Sequence, residues 1–310
     1  MALTSMLYDD VGRLGLRLAN LRTPQGYALG VEVEDGVLNV TATAAGLDLA
    51  APRDVDDLLQ NGLSAQVQAV LTAVAKQPTT RVVSGLSAVK FAPLVTRPEK
   101  IICVGFNYRK HAEETGTPIP KAPPLFSKFR NALNHHEGVV VLPTRIDDRF
   151  DYETELVIVF GREGRDVAQA EALDYVAGYA VGNDLSARTM QTATTQFLAG
   201  KTSDGFAPLG PWLVTRDRVP DPNALQLRTF VNGETKQDWN TRDMIFNCRQ
   251  LIAFVTSIMT IKPGDIIFTG TPQGVIFGEK APPEQRRWLR AGDEVTSELE
   301  GLGRLTVRLA

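Results

Sequence analysis

Apolar and polar positions alternate with a period of two along much of this chain, the repeat of strands with one buried face. Residues 15–40, GLRLANLRTPQGYALGVEVEDGVLNV, show it with turn chemistry at Pro24–Gly26 and Asp35–Gly36, which predicts a β-meander. The stretch DVDDLLQNGLSAQVQAVLTAVAKQ switches to helical spacing, with Ser64 as the expected cap of its second helix. A segment with Pro93 and Pro98 follows. It places a domain boundary there, between a small N-terminal α/β cap or accessory unit (1–95) and a larger domain (96–310). The second part reads mainly as strands: KIICVGFNY, ELVIVFG, YVAGYAVGND, PWLVT, LQLRTFVNG, DIIFTGTPQG and a final hairpin in AGDEVTSELEGLGRLTVRLA. Two helices interrupt them, YRKHAEETG closed by Gly116 and MIFNCRQLIAFVTSIM. Many strands with few helices predict a β-rich α+β fold, not a doubly wound one.

Composition narrows the function. The chain has 310 residues and a formal net charge of −3, so nothing points to nucleic acid or a membrane surface as partner. No apolar run approaches the roughly 18 residues of a membrane span. The start, MALTSMLYDDVGRLG, carries acids where a signal peptide needs bases and an apolar block. Two distant cysteines, Cys103 and Cys248, predict reduced thiols and a cytoplasmic protein, with neither a disulfide framework nor a zinc site. No Gly-rich dinucleotide or phosphate-loop fingerprint occurs.

The candidate chemistry begins in DYETELVIVFG. Glu153 and Glu155 are two apart and so share a face at the start of an apolar strand. Like charges there resist burial unless a cation lies between them, so the pair is either a cation site or an exposed strand entrance. Glu32/Glu34 and Glu298/Glu300 repeat the spacing in polar strands and read as solvated faces. Asp184, ending the strand in YAVGNDLSAR, is a turn or N-cap residue, or a third ligand. Three carboxylates would suit a hard ion, Mg²⁺ or Mn²⁺. His111 and Glu114 share a helix face, as a surface pair or as a general base held by its carboxylate. His135 and His136 read as structural or exposed. Lys201 is either solvated or within reach of a carboxylate-rich site, and TGTPQG (269–274) is either a plain turn or a cradle for a substrate carboxylate.

The ordered set IICVGFNYRKHAEE, DYETELVIVFG, GYAVGNDLSAR, GKTSDGFAPLGPWLV, VNGE, MIF and GDIIFTGTPQGV resembles the fumarylacetoacetate hydrolase family, from about Lys100 to the C-terminus. The resemblance implies a mixed β-roll, usually dimeric, with a variable N-terminal domain. It implies Mg²⁺ or Mn²⁺ on Glu153, Glu155 and Asp184, a His111–Glu114 dyad and an active-site Lys201. It implies substrate oxygens bound by Arg188, Gln191 and Thr271. Two positions depart from the family pattern, Lys128-Phe129 in place of Lys-Pro and Thr189 in place of Asp after the Arg. Members of the family cleave C–C bonds in 2,4-dioxo acids, decarboxylate oxaloacetate, or isomerise and hydrate dienoates. The dyad tilts the expectation to a hydrolase of an acylpyruvate or fumarylpyruvate type of acid. The alternatives are an oxaloacetate decarboxylase, a dienoate isomerase or hydratase of aromatic catabolism, and a non-catalytic ligand-binding protein. The substrate implied is a small dicarboxylate or 2-oxo acid.

Overall fold

The structure is a computed structural model that describes residues 10–310; most of the stretch read against a signal peptide, residues 1–9, lies outside the described residues. In chain order the first strands are β1 (Arg17–Thr23), β2 (Gly26–Val33), β3 (Gly36–Asn39), β4 (Val83–Ser84), β5 (Ile101–Val104), β6 (Leu125–Ser127), β7 (Leu133–Asn134), β8 (Gly138–Val140), β9 (Phe150–Asp151) and β10 (Thr154–Phe160). They continue with β11 (Val176–Asn183), β12 (Ser186–Ala187), β13 (Ala207–Pro208), β14 (Leu213–Thr215), β15 (Gln226–Val231), β16 (Glu234–Asn240), β17 (Ile266–Phe268), β18 (Glu294–Leu299) and β19 (Gly303–Leu309). Ten of them form one mixed sheet in the order β4-β3-β2-β1-β14-β11-β10-β17-β5-β6. The predicted meander is β1–β3, and the antiparallel pairing of β1 with β14 brings it into the same sheet as the later strands. A second sheet runs β16-β15-β18-β19-β8 and contains the predicted final hairpin.

β10 and β11 lie near the middle of the large sheet and are buried along their whole length. The period of two explains how. Leu156, Ile158 and Phe160 face one core with Leu251, Ile252 and Val255 of the helix Cys248–Ile258. Val157 and Val159 face the other, with Leu58, Val67 and Val70 from the helices Val55–Asn61 and Ser64–Lys76. Each such side chain taken fully out of water contributes about 1.5–3 kcal/mol. A strand covered on both faces reads as a continuous apolar run, which is what LVIVF is.

Two helix starts differ from expectation. Ser64 is the first helical residue, and Leu63 holds the cap position without a side-chain hydrogen bond. The apolar run from Met244 becomes helical only at Cys248, because Asn247 and Gln250 form a capping box there. The residues before it clamp Asn107 instead: Ile245 N–H donates to its carbonyl at 2.7 Å and Phe246 N–H to its Oδ1 at 2.8 Å.

Cys103 and Cys248 are both fully buried free thiols. Burial pushes the Cys248 thiol up to about 12 and Cys103 well above its ordinary value. Thiolate is the reactive form. A thiol reagent at pH 8 is therefore expected to label neither cysteine in the native protein and both in denaturant; fast labelling of the folded chain would contradict this packing.

Candidate active site

The antiparallel register of β10 on β11 pairs Thr154 with Asn183 and Glu155 with Gly182. It therefore sets Asp184 beside Glu153, and the Asp184 N–H donates to Glu153 O at 2.8 Å. No helix begins at Asp184, and its carboxylate turns inward. One carboxylate oxygen from each of Glu153, Glu155 and Asp184 lies within 4.8 Å of the other two, and all three residues are buried. An octahedral Mg²⁺ at ~2.1 Å from its oxygens holds neighbouring oxygens about 3 Å apart and opposite ones about 4.2 Å apart. A small inward shift would close the triad on such an ion.

Three buried cations surround these acids. Lys201 Nζ bridges Glu153 Oε2 at 2.7 Å and Asp184 Oδ2 at 2.8 Å. It reaches them because Gly200 lets the helix Leu198–Lys201 lie against the helix Arg188–Thr192; a Cβ there would stand 2.4 Å from Ala187 O. Arg188 contacts Glu153 Oε1 at 2.7 Å and Asp151 Oδ2 at 2.7 Å, and donates to Gln191 Oε1 at 2.8 Å. Lys128 Nζ donates to the carbonyls of Leu185, Phe206 and Lys201. It also forms a buried ion pair with Asp184 Oδ1 at 2.5 Å. Three buried carboxylates that converge on one point are the donor set of a hard divalent ion, and the residues fit such an ion.

The charges point the same way. Burial alone would raise Glu153, but Lys201 and Arg188 outweigh it and hold its carboxyl below the usual range. Burial lowers Lys201, but Asp184 and Glu153 more than restore it and keep it charged. Burial pushes Lys128 down despite Asp184. Glu155 is the exception. Burial, then Asp184, then Glu153 drive its carboxyl well up, against one Gly270 N–H at 2.6 Å. Four buried acids (Asp151, Glu153, Glu155, Asp184) meet three buried cations, and Glu155 is left without an ion-pair partner among the described residues.

His111 is buried on the helix Arg109–Thr115, which Gly116 ends in the left-handed conformation. Its Nδ1 lies 3.4 Å from Glu114 Oε2, at the long end of hydrogen bonding. Glu114 also accepts from Gly274 N–H at 3.1 Å, and Gly278 packs so closely on it that a Cβ would fall 2.3 Å from its carboxyl carbon. Phe106 adopts φ +49° and lays its ring parallel to the imidazole at 6.1 Å. A non-glycine residue in that region carries about 1–3 kcal/mol of strain, retained where a site needs it. His111, Glu153, Glu155, Arg188, Gln191, Lys201 and Thr271 line one cavity, walled by Phe106, Phe126, Phe197 and Phe277. All nine residues named from the sequence thus gather at one place, with Asp184 and Glu114 behind the cavity wall.

Asp151 and Lys128 were not singled out as site residues. Asp151 accepts from Ile276 N–H at 3.0 Å, Phe277 N–H at 2.9 Å and the Arg188 guanidinium, so it ties the loop over the cavity to the cation that holds Glu153. Its signal was present: it extends the Glu153/Glu155 alternation one step back. Lys128 has no local signal, since its partners come from three distant segments. The other Glu-x-Glu pairs behave as expected at the surface, Glu32 with Arg17 and Glu298 with Arg228 and Arg304. His136 is structural; its Nδ1 accepts from Thr306 N–H at 3.1 Å.

Comparison with known proteins agrees with this geometry. The family profile described as fumarylacetoacetate (FAA) hydrolase, C-terminal, matches residues 100–310. The human mitochondrial oxaloacetate tautomerase FAHD2A is 40% identical over 294 residues, covering 93% of this chain and 90% of its own. The fumarylacetoacetate hydrolase of the psychrophile Exiguobacterium antarcticum superposes with a TM-score of 0.79 at 29% identity, over 95% of this chain and 99% of its own. The maleylpyruvate hydrolase of Sphingobium sp. SYK-6 gives 0.74 at 29% identity over the same shares. The human and bovine relatives are mitochondrial by name, which overturns the cytoplasmic expectation. Two reduced thiols mark a reducing compartment and do not single out the cytoplasm. Enzymes of this family generally bind a divalent metal, and the buried triad could hold one. On its match along residues 100–310 and its 40% identity to a full-length relative, the chain belongs to the fumarylacetoacetate hydrolase family of enzymes.

Proposed function

We propose that the protein interconverts the enol and keto forms of oxaloacetate, with Mg²⁺ or Mn²⁺ on Glu153, Glu155 and Asp184. The observation that carries this reading is the meeting of His111, Lys201 and the buried acids in one cavity, in a chain 40% identical to a protein named as an oxaloacetate tautomerase. Phe106, Phe126, Phe197 and Phe277 wall that cavity with apolar rings. An acylpyruvate has a tail beyond C4, and its hydrolysis needs a water placed at the C4 carbonyl. Tautomerisation needs neither, since it moves one proton between C3 and the C2 oxygen. The activity named for the human relative supports the same choice over C–C hydrolysis.

A bound divalent ion would supply Lewis acidity toward the C1 carboxylate and C2 oxygen. The chain supplies the rest. Lys201, kept charged by its two carboxylates, stabilises negative charge developing on the C2 oxygen. His111 takes the C3 proton or returns it, with Glu114 fixing its tautomer. Arg188 keeps Glu153 ionised and forms the cavity floor over Phe277, its guanidinium 5.1 Å from that ring. A divalent ion added to an acidic excess of one leaves a net positive site, suited to a dicarboxylate.

The deciding experiment starts from enol-oxaloacetate with Mg²⁺ and follows the enol absorbance together with pyruvate release. The expected result is accelerated loss of the enol with no pyruvate above background. Pyruvate formed at a matching rate would make the protein a decarboxylase. Cleavage of acylpyruvates without any effect on the enol would make it a hydrolase.

A further inference from the structure

β16 buries one residue among its seven, and that residue is a glutamine. Gln237 is 1% exposed. Core stability favours an apolar side chain at such a position, because a buried amide must find four hydrogen-bond partners. A bulge in the β15–β16 pairing, where Thr229 faces Gln237 but Phe230 faces Thr235, interrupts the ladder beside it. Bulges of this kind re-aim side chains next to sites.

The amide crosses from the smaller sheet to the catalytic one. Its Oε1 accepts from Thr229 Oγ1 at 2.5 Å and from Thr154 N–H at 3.3 Å. Its Nε2 donates to Thr271 Oγ1 at 2.9 Å, Pro272 O at 2.9 Å and Gln273 O at 3.3 Å. A backbone N–H only donates and a carbonyl only accepts, so the amide has one orientation. Thr154 stands between Glu153 and Glu155. Thr271 lines the cavity, and its hydroxyl donates onward to Thr154 O at 2.9 Å. One side chain from another sheet therefore fixes the turn at Thr271–Gly274 relative to the strand that carries two of the three acids. It also decides what Thr271 can offer. With its proton on Thr154 O and one lone pair filled by Gln237, the hydroxyl keeps one lone pair for the cavity. It can accept from an enol O–H but has no proton for a carboxylate.

We infer that Gln237 is a positioning residue: it holds the 271–274 turn and sets the Thr271 hydroxyl as a hydrogen-bond acceptor facing the substrate. The inference deepens the tautomerase reading and rests on it for the substrate used in the test. Gln237→Met keeps length and volume while removing every one of these bonds. Thr229→Val removes the hydroxyl that steadies Oε1, together with its 2.6 Å contact to Thr154 Oγ1, and it carries the test if the first variant does not fold. Three quantities are read: amide hydrogen exchange in 270–276 against 155–160, Mn²⁺ affinity, and KM against kcat for enol-oxaloacetate. Gln237→Met should speed exchange in 270–276 and raise KM by about tenfold or more, while exchange in 155–160 and Mn²⁺ affinity stay near the parent values. Thr229→Val should move the same two readouts in the same direction by less. Unchanged exchange in 270–276, equal acceleration in 155–160, or faster exchange with an unchanged KM would each overturn the inference. If the parent does not turn over enol-oxaloacetate, the tautomerase reading falls. The exchange pattern and the oxalate affinity of Mn²⁺-loaded protein then decide the role of Gln237 on their own.

Discussion

Glu155→Gln is expected to lose metal binding and at the same time to melt at a higher temperature than the parent in metal-free buffer. Both effects come from one group. Glu155 is buried beside two other acids, with no cation paired to it among the described residues, and its carboxyl is driven well above the usual range. The sign follows from linkage. A carboxyl whose pKa is raised by folding costs nothing below the unfolded value of 4.5, where both states are protonated. The cost grows as pH rises toward the folded pKa and is fully present above it. Glutamine removes that cost and can still accept the Gly270 N–H. Metal-free parent protein should therefore lose stability relative to Glu155→Gln as pH rises above about 4.5. The metal needs the ionised form, so Mn²⁺ affinity of the parent should rise with pH as the proton is displaced. Calorimetric titration of Mn²⁺ should show a loss beyond the roughly 10–100-fold that follows mutation of a merely supporting residue. Retained Mn²⁺ binding, or a lower melting temperature without metal, would remove Glu155 from the ligand set.

His111→Ala should lower kcat for enol-oxaloacetate by on the order of 10²–10⁴-fold, the range for removing a general base. The imidazole lies in the cavity, is stacked on a strained Phe106 and has Glu114 at Nδ1. It is not one of the three carboxylate ligands, so Mn²⁺ affinity and oxalate binding should change little. Oxalate is informative because its adjacent oxygens copy the carboxylate and the charged C2 oxygen without any C3 proton to transfer. A variant that loses kcat but binds oxalate like the parent has lost proton transfer. A variant that loses both to the same degree would show that His111 positions substrate instead. Glu114→Gln should fall between the two, because the amide can still hold the imidazole but cannot stabilise its charged form.

The proposed oxaloacetate reading differs from the expected acylpyruvate hydrolase and draws on features outside any motif. Phe106, Phe126, Phe197 and Phe277 come from four separate segments, and they share a wall because β5, β6, two helices and the loop after β17 converge there. Phe126 and Phe197 meet edge to face at 5.6 Å, and Phe106 meets Phe197 at 6.2 Å. A dyad motif specifies that a proton can move; the walls of the cavity beside it bear on which molecule supplies the proton.

By itself the sequence determined what depends on neighbours a few residues apart. Period-two alternation determined the meander, the buried run of β10 and the hairpin of β18 and β19, because successive side chains of a strand must point to opposite faces. The same rule put Glu153 and Glu155 on one face, and helical spacing joined His111 to Glu114. Tertiary structure decided everything that needed a partner far along the chain. Asp184 joins the glutamates only through the β10–β11 register, and a one-residue slip would turn it away. Lys128 is fixed by carbonyls of residues 185, 201 and 206, and Asp151 by N–H groups of residues 276 and 277. Gln237 sits in the polar stretch KQDWN and looks solvated until the second sheet packs on the first. Local patterns can state which face a side chain takes, because the backbone period enforces it. They cannot state what lies opposite that face, because desolvation and charge pairing are set by whichever segment the fold brings there.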